Sequence, residues 1–354
     1  MSNIKLGQSI LIPKDALSFQ QEQSLKEMCS GSNPEHSSWR KMLAVYPWMA
    51  RNPKKFPEPD KEIILYQEIE VDKKIYLEIP RGCYAFVSAA IGLIEDTTEE
   101  IPAEFVPGFK LRDYQEEAVN EVCKHKFGYL TATTGSGKTI MGFAIAAKLK
   151  QKTLFLVHKK SLLYQAYNQV KEMLGIEPGI VGDGKEIYKD FTICMVQSLY
   201  KKTPKEKFGI IIADEVHHFP SKVFSRVIAK IPANRVYGLS ATPERPDGLS
   251  WILNSIVGPE LYRLERKEME QKKAVVPVKV IEVSTPYKPS KSFDPFQLAQ
   301  HYNELCSCDQ RNSFLVNYIS KIVADNPDAS IVVMTKRINP VSYTHLRAHE
   351  TKAN

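Results

Sequence analysis

The string Ala132-Thr133-Thr134-Gly135-Ser136-Gly137-Lys138-Thr139 ends a short apolar run and opens an amphipathic segment. That is the setting in which a glycine-rich loop wraps phosphates. Gly135 and Gly137 let the backbone curl, so that the N–H groups of Thr134 to Gly137 face a β-phosphate and the next helix adds positive potential. Lys138 would reach the β- and γ-phosphates, and Thr139 would place its hydroxyl on Mg²⁺, an ion that takes few protein ligands. The strict pattern begins with Gly where this chain has Ala132, so the loop alone leaves a chance glycine-rich turn open. A second group, Asp214-Glu215-Val216-His217-His218, directly follows the apolar run Gly209 to Ala213. Carboxylates at the end of a buried strand lie on the sheet edge where ligands bind, so Asp214 can hold the metal through water and Glu215 can orient an attacking water. By itself the pair is also compatible with a solvated loop start; together with the phosphate loop it predicts an ATPase.

These groups need a sheet to bring them together. From residue 109 onward, short apolar runs alternate with amphipathic segments, the pattern of a parallel sheet covered by helices. Strands are predicted at 129–132, 153–157, 191–196, 208–213 and 235–239, and helices at 112–125 and 161–174. Residues 1–105 read as an α+β accessory domain. It has a helix near 16–28, a Pro-rich crossing, and a hairpin of strands 63–69 and 74–79 turning around Val71 to Lys73, followed by Pro80-Arg81-Gly82. The acidic run Glu95 to Glu104 is the expected linker into a core at 106–265. A further domain is expected at 266–340, with strands at 275–283 and 330–334 and a helix from about Asp309 to Ala324.

The chain has 354 residues, 43% hydrophobic and 25% charged, an ordinary globular composition. Its net charge is +7, and residues 1–108 hold 12 Lys and Arg against 16 Asp and Glu, which leaves +11 on the part with the motifs. A basic face suits phosphate backbones and equally suits simple solvation. The six cysteines form no C-x-x-C, so zinc is not expected, and they read as reduced thiols. Neither a signal peptide nor a membrane-spanning run is evident, which predicts a cytoplasmic protein, in a bacterial or phage-infected cell, with no membrane partner.

Taken in order, these segments resemble superfamily 2, the DExH-type helicases and translocases. Asp214-Glu215-Val216-His217 is similar to the family's second motif and Ser240-Ala241-Thr242 to its third, which couples the nucleotide site to the nucleic-acid groove. The resemblance implies a RecA-like fold, ATP and Mg²⁺ as cofactors, and catalytic roles for Lys138, Asp214, Glu215 and His217, with His217 hydrogen-bonded toward the third motif. Leu111-Arg112-Asp113-Tyr114-Gln115 resembles the segment that reads adenine, which assigns Arg112 and Gln115 to the nucleotide. The stretch Leu156 to Gln165, with His158 and Lys159, and the stretch Thr192 to Leu199, with Gln197 and Ser198, resemble loops that touch the phosphate backbone. They could equally be ordinary strand-to-helix turns with Ser161 as a cap. Ala241 to Gly248 is similar to the repair-type branch that includes XPB and the phage helicase UvsW, which implies duplex DNA as partner. Arg245 and Asp247 would help bind the strand or close the motor, or would pair within a stiff surface loop. Pro80-Arg81-Gly82 echoes the same branch, where front domains sense duplex, although a hairpin scaffold packed on the motor explains it as well.

The resemblance also implies a second RecA-like domain whose arginines complete charge stabilisation at the γ-phosphate. Only its opening is expected here, with Arg311-Asn312 and Ile331 to Arg337 similar to the fourth motif. Val341 to Asn354 is expected to be non-native tail sequence. The expected function is a monomeric ATP-dependent translocase or helicase on duplex DNA, with this chain turning over slowly. The alternatives are a restriction or defence motor subunit and a nucleotide-gated clamp that does not translocate.

Overall fold

A computed structural model describes residues 3–204, 206–219, 221–242, 248–272, 274–278, 280–289, 298–328 and 330–334. The chain divides into two compact units, Met1–Pro277 and Val278–Asn354.

The first unit is built on an eight-stranded sheet. Its strands are β8 (Phe127–Ala132), β9 (Thr153–Val157), β10 (Gly179–Gly182), β11 (Lys185–Ile187), β12 (Phe191–Met195), β13 (Ile210–Ala213), β14 (Arg235–Ser240) and β15 (Glu260–Leu264), in the order β11-β10-β12-β9-β13-β14-β8-β15. Every pairing is parallel except that of β11 with β10. The apolar runs form strands because both faces are covered. In β13, Ile211 and Ala213 point into one core cluster while Ile210 and Ile212 point into the other. In β9, Leu154 and Leu156 part from Phe155 and Val157 in the same way. This is the period of two expected of a central parallel strand.

One face is covered by α4 (Asp113–Cys123), α5 (Lys138–Leu149) and α6 (Lys160–Leu174), whose buried residues Ala118, Val122, Phe143, Leu163 and Val170 share a cluster with Phe155 and Leu239. Short α7 (Val196–Lys201), α8 (Ser221–Ile228) and α9 (Ser250–Val257) cover the other face, and α10 (Arg266–Gln271) follows β15.

The front region adds a five-stranded sheet of β1 (Ile4–Leu6), β2 (Ile10–Pro13), β5 (Gln67–Val71), β6 (Lys74–Ile79) and β7 (Ile94–Asp96), in the order β5-β6-β2-β1-β7. A small pair, β3 (Ser30–Ser32) with β4 (Glu62–Ile64), flanks it. The β5–β6 hairpin turns on Asp72 and Lys73, whose φ values of 50° and 64° give the two-residue left-handed turn that matches strand twist. Helix α1 (Phe19–Met28) starts at a reciprocal cap, in which Ser18 Oγ accepts from Gln21 N and Gln21 Oε1 accepts from Ser18 N. Two further helices are α2 (Pro34–Val45) and α3 (Tyr84–Ala90).

Three expectations need correction. The acidic run at 95–104 is not simply a linker, because its first residues belong to β7 and pair in parallel with β1. The 63–69 strand is two strands, β4 and β5, separated at Leu65 and Tyr66. The described residues of 275–283 and of 330–334 form no strand. Val276 and Val280 are each 80% exposed, and without a packed face β-branched residues do not make a strand. At Pro80-Arg81-Gly82 the packing agrees with the scaffold alternative. Arg81 is 1% exposed, and its guanidinium donates to the carbonyls of Ile228 (2.6 Å), Ile231 (2.6 Å) and Ala233 (3.1 Å), just past α8. A Cβ on Gly82 would sit 2.5 Å from Ser255 O and 2.7 Å from Gly258 N, so the front region meets α9 backbone to backbone.

The second unit holds α11 (Leu298–Ser307) and α12 (Asp309–Asp325). Buried Asn312 ties them by donating to Cys306 O at 2.7 Å, with Arg311 beside it. The tail 341–354 and Thr335 to Arg337 lie outside the described residues. Among those described, no helix is long and apolar enough to cross a membrane.

Candidate nucleotide-binding site

Strands β8, β13 and β14 are neighbours, so the segments leaving their carboxyl ends converge. The loop after β8 turns through Gly135 (φ 87°) and Gly137 (φ 86°), a left-handed backbone that an L side chain resists. It closes by Ser136 N donating to Thr133 O at 3.1 Å and delivers Lys138 and Thr139 to the start of α5. Lys138 is 7% exposed; its Nζ donates to Ala132 O at 3.1 Å and lies 3.5 Å from Glu215 Oε1.

After β13, Asp214 is fixed from three sides. Its N–H donates to Leu156 O at 2.9 Å, its Oδ1 accepts from Glu215 N at 3.0 Å, and its Oδ2 accepts from Thr139 Oγ1 at 3.1 Å. Burial pushes its carboxyl up to about 6, and the neighbouring Glu215 charge adds to the rise, while the Thr139 hydroxyl, the Lys138 amine and the Glu215 amide oppose it. Glu215 has φ 49°, an uncommon value for a residue with a side chain. Local strain of this kind aims the carboxylate at Lys138 instead of letting it follow the strand. His217 completes the chain, with Nδ1 2.9 Å from Ser240 Oγ at the end of β14 and 3.5 Å from Glu215 Oε2.

Gln115, 5% exposed, braces the loop: its Nε2 donates to Ser136 O at 2.8 Å and its Oε1 accepts from Arg112 N at 3.0 Å. Tyr114 was legible only as part of an apolar helix face, yet its hydroxyl donates to the same Ser136 O at 3.1 Å and accepts from Arg112 at 3.3 Å. Arg112 also reaches Ala274 O at 3.4 Å. A cavity of about 510 Å³ beside these residues is lined by Arg112, Asp113, Tyr114, Glu117, Lys272 and Ala274. Lys272 had no motif to mark it.

Around the corner, Gln197 Nε2 donates to His158 O at 3.1 Å and so joins the two loops expected to face a backbone. The His158 ring lies 4.9 Å from that of His218, which lies 4.0 Å from that of His217. Burial first, then the nearby His218 and Lys159 charges, lower the His158 pKa, which favours a neutral ring. Lys159 and Thr242 are exposed, Ser198 and Ala241 half-buried. Arg245 and Asp247 lie outside the described residues.

Thr139 and Asp214 present hard oxygen donors close together, the sparse set that suits Mg²⁺. Among the described residues no group of three or more His, Cys, Asp or Glu is placed to hold a metal.

A glycine-rich loop before a helix, two carboxylates on the next strand but one, and a parallel sheet beneath them define a RecA-like α/β domain. Residues 108–245 match the model of the family described as Type III restriction enzyme, res subunit. The chain is 33% identical over 213 residues to "DNA 3'-5' translocase XPB2" of Sulfurisphaera tokodaii, covering 59% of this chain and 48% of that protein. It is 25% identical over 304 residues to the Saccharomyces cerevisiae "General transcription and DNA repair factor IIH helicase/translocase subunit XPB/SSL2", covering 77% and 35%. The UvsW helicase from bacteriophage T4 superposes with a TM-score of 0.49 at 16% identity, covering 74% of this chain and 100% of that one. The chain thus spans about half, or less, of the length of the curated relatives it matches.

Proposed function

We propose that the chain is the nucleotide-binding part of an ATP-driven motor that moves on or unwinds duplex DNA. The observation that carries the reading is the continuous contact path Lys138–Glu215–His217–Ser240, with Thr139–Asp214 beside it, all on the carboxyl edge of one sheet. Lys138, held between Ala132 O and Glu215, exchanges these partners for the terminal phosphate oxygens. Thr139 and Asp214 would hold Mg²⁺, which when bound neutralises charge on the phosphates. Glu215 Oε1 orients the attacking water, and Gln115 and Tyr114 keep the loop in its curled form from behind. The cavity by Arg112 and Lys272 accommodates the base. His217, touching both Glu215 and Ser240, relays the state of the nucleotide to β14 and the segment after it. His158, Lys159, Gln197 and Ser198 meet the phosphate backbone, with Thr242 at the end of the relay.

The test is ATP turnover with and without duplex DNA, single strands and RNA. Duplex stimulation that disappears in Lys138→Ala and falls by roughly 10²-fold or more in Glu215→Gln is expected, because charge-positioning groups are worth that much in turnover. Tight ATP-dependent DNA binding with no stimulated turnover in a protein that also carries the complete second RecA-like domain would refute the motor and leave a clamp.

A further inference from the structure

Residues 36–57 contain no acidic side chain, yet they include Arg40, Lys41, Arg51, Lys54 and Lys55. Residues 1–108 as a whole hold 12 Lys and Arg against 16 Asp and Glu, so these five cations are a concentrated exception in an acidic region. All five are exposed. Aromatic rings lie between them: Tyr46 is 40% and Trp48 54% exposed. Large rings normally contribute by burial, so two left open side by side among cations need a ligand-side explanation.

The rings are held rather than loose. Asn33 caps α2 by accepting from Glu35 N at 3.0 Å, and its amide donates to Asp60 O at 2.8 Å. Pro47 opens a 3-10 helix over Pro47–Arg51 that Met49, 4% exposed, anchors from below. The chain then folds back, with Phe56 N donating to Asn52 O at 3.0 Å. This places the Phe56 ring edge-on to Trp48 at 5.2 Å, with Tyr46 6.4 Å away on a tilt of 64°. Lys55 Nζ lies 5.6 Å from the Phe56 ring centre.

Cations select a polyanion, and open flat rings select the faces of unpaired bases, which a duplex keeps inside its stack. We infer that the surface from Arg40 to Phe56 binds an unpaired nucleic-acid strand. A base stacks on Trp48, supported by Tyr46, and the five cations meet the phosphates around it. The inference rests on nucleic acid being the substrate, and it adds a single-strand contact made by the front region to those of the motor loops. A motor carrying such a contact engages sites where duplex gives way to an open strand.

The experiment is fluorescence anisotropy of a labelled oligothymidylate and of an equally long duplex with the full chain, across salt. Wild type is compared with Trp48→Ala, Trp48→Tyr and the triple variant Arg51→Ala/Lys54→Ala/Lys55→Ala, each first checked for an unchanged thermal melt. Trp48→Ala weakens oligothymidylate binding at least about fivefold, the lower end of what a stacked base is worth. Trp48→Tyr recovers most of the loss, and the triple variant lowers the slope of log K against log salt by about 2. Indole emission falls when the oligothymidylate is added to wild type and does not fall in Trp48→Ala. An affinity of Trp48→Ala within about twofold of wild type overturns the inference, as does Trp48-dependent binding to phosphatidylserine vesicles in place of the oligonucleotide. In either case duplex-stimulated ATP turnover survives, whereas failure of the motor reading removes that stimulation.

Discussion

Arg81 offers a quantitative test of how the front region is attached. Its guanidinium is buried, faces no carboxylate among the described residues, and donates from Nη1 to the carbonyl of Ala233 and from Nη2 to those of Ile228 and Ile231, while Nε has no partner. Burial without a counter-ion pulls its pKa down to about 10, so the group is still cationic at neutral pH. Replacing a buried ion pair by apolar residues is often harmless, because both polar partners leave together. Here the partners are backbone and stay. Arg81→Met keeps the aliphatic bulk and removes the cost of desolvating the cation, but it takes the donor from the Ile231 and Ala233 carbonyls, while Ile228 O keeps Ile231 N. Each stranded carbonyl costs about 1–3 kcal/mol, so the variant should lose roughly 3–5 kcal/mol, a large share of a typical total of about 5–15 kcal/mol. Urea unfolding read by indole emission and by circular dichroism checks this. Trp251 is a local reporter, since its ring packs where a Cβ on Gly31 of β3 would lie, only 2.8 Å away. The expected result is a midpoint shift several times that of the exposed control Arg51→Met, with the emission change preceding the loss of helix signal. Equal midpoints for the two variants would refute the argument that these carbonyls depend on Arg81.

Two further outcomes follow from the site. Asp214 has a folded pKa of about 6 against an ordinary 3.8, so between those values the folded state holds a proton that the unfolded state has released. Raising the pH through that window therefore costs stability, on the order of 2–3 kcal/mol in the nucleotide-free chain, and the cost is complete above pH 6. Asp214→Asn should gain in melting temperature relative to wild type from pH 4 to pH 7; a gap that closes over that range would contradict the burial argument. Gly137→Ala places a Cβ 2.4 Å from Gln115 Nε2 at a φ of 86°, so the brace must give way. Nucleotide affinity, measured by calorimetry, should fall at least about tenfold, and the melt should drop by the several degrees that a cost of roughly 1–3 kcal/mol for a side chain in this backbone region implies. Retained affinity would show that the curl of the loop is not needed.

Much of the core was legible because its strands are buried on both faces. The runs that become β8, β9, β12, β13 and β14 are short and apolar, and no surface strand competes for that pattern. The pairing of Lys138 with the carboxylates followed from the rule that ligands gather at the carboxyl edge, and the structure does bring these groups together. What escaped was short or averaged away. The β10–β11 hairpin and β15 offer few residues each, and glycines at Gly179 and Gly182 blur their period. Summed charge over residues 1–108 hid the cluster at 40–55 inside an acidic total. The sequence left Arg81 open between a duplex-sensing echo and a packed scaffold, because burial of a guanidinium depends on carbonyls some 150 positions away in sequence. The run 275–283 misled in the opposite sense, since its side chains promise a strand that no neighbour among the described residues completes.

The imidazole of His217 sits between two strands' ends, its Nδ1 2.9 Å from the Ser240 hydroxyl and 3.5 Å from the Glu215 carboxylate. A ring shared in this way cannot shift toward one neighbour without loosening from the other. On the proposed motor reading, that one ring would tie chemistry at one strand tip to displacement at the next.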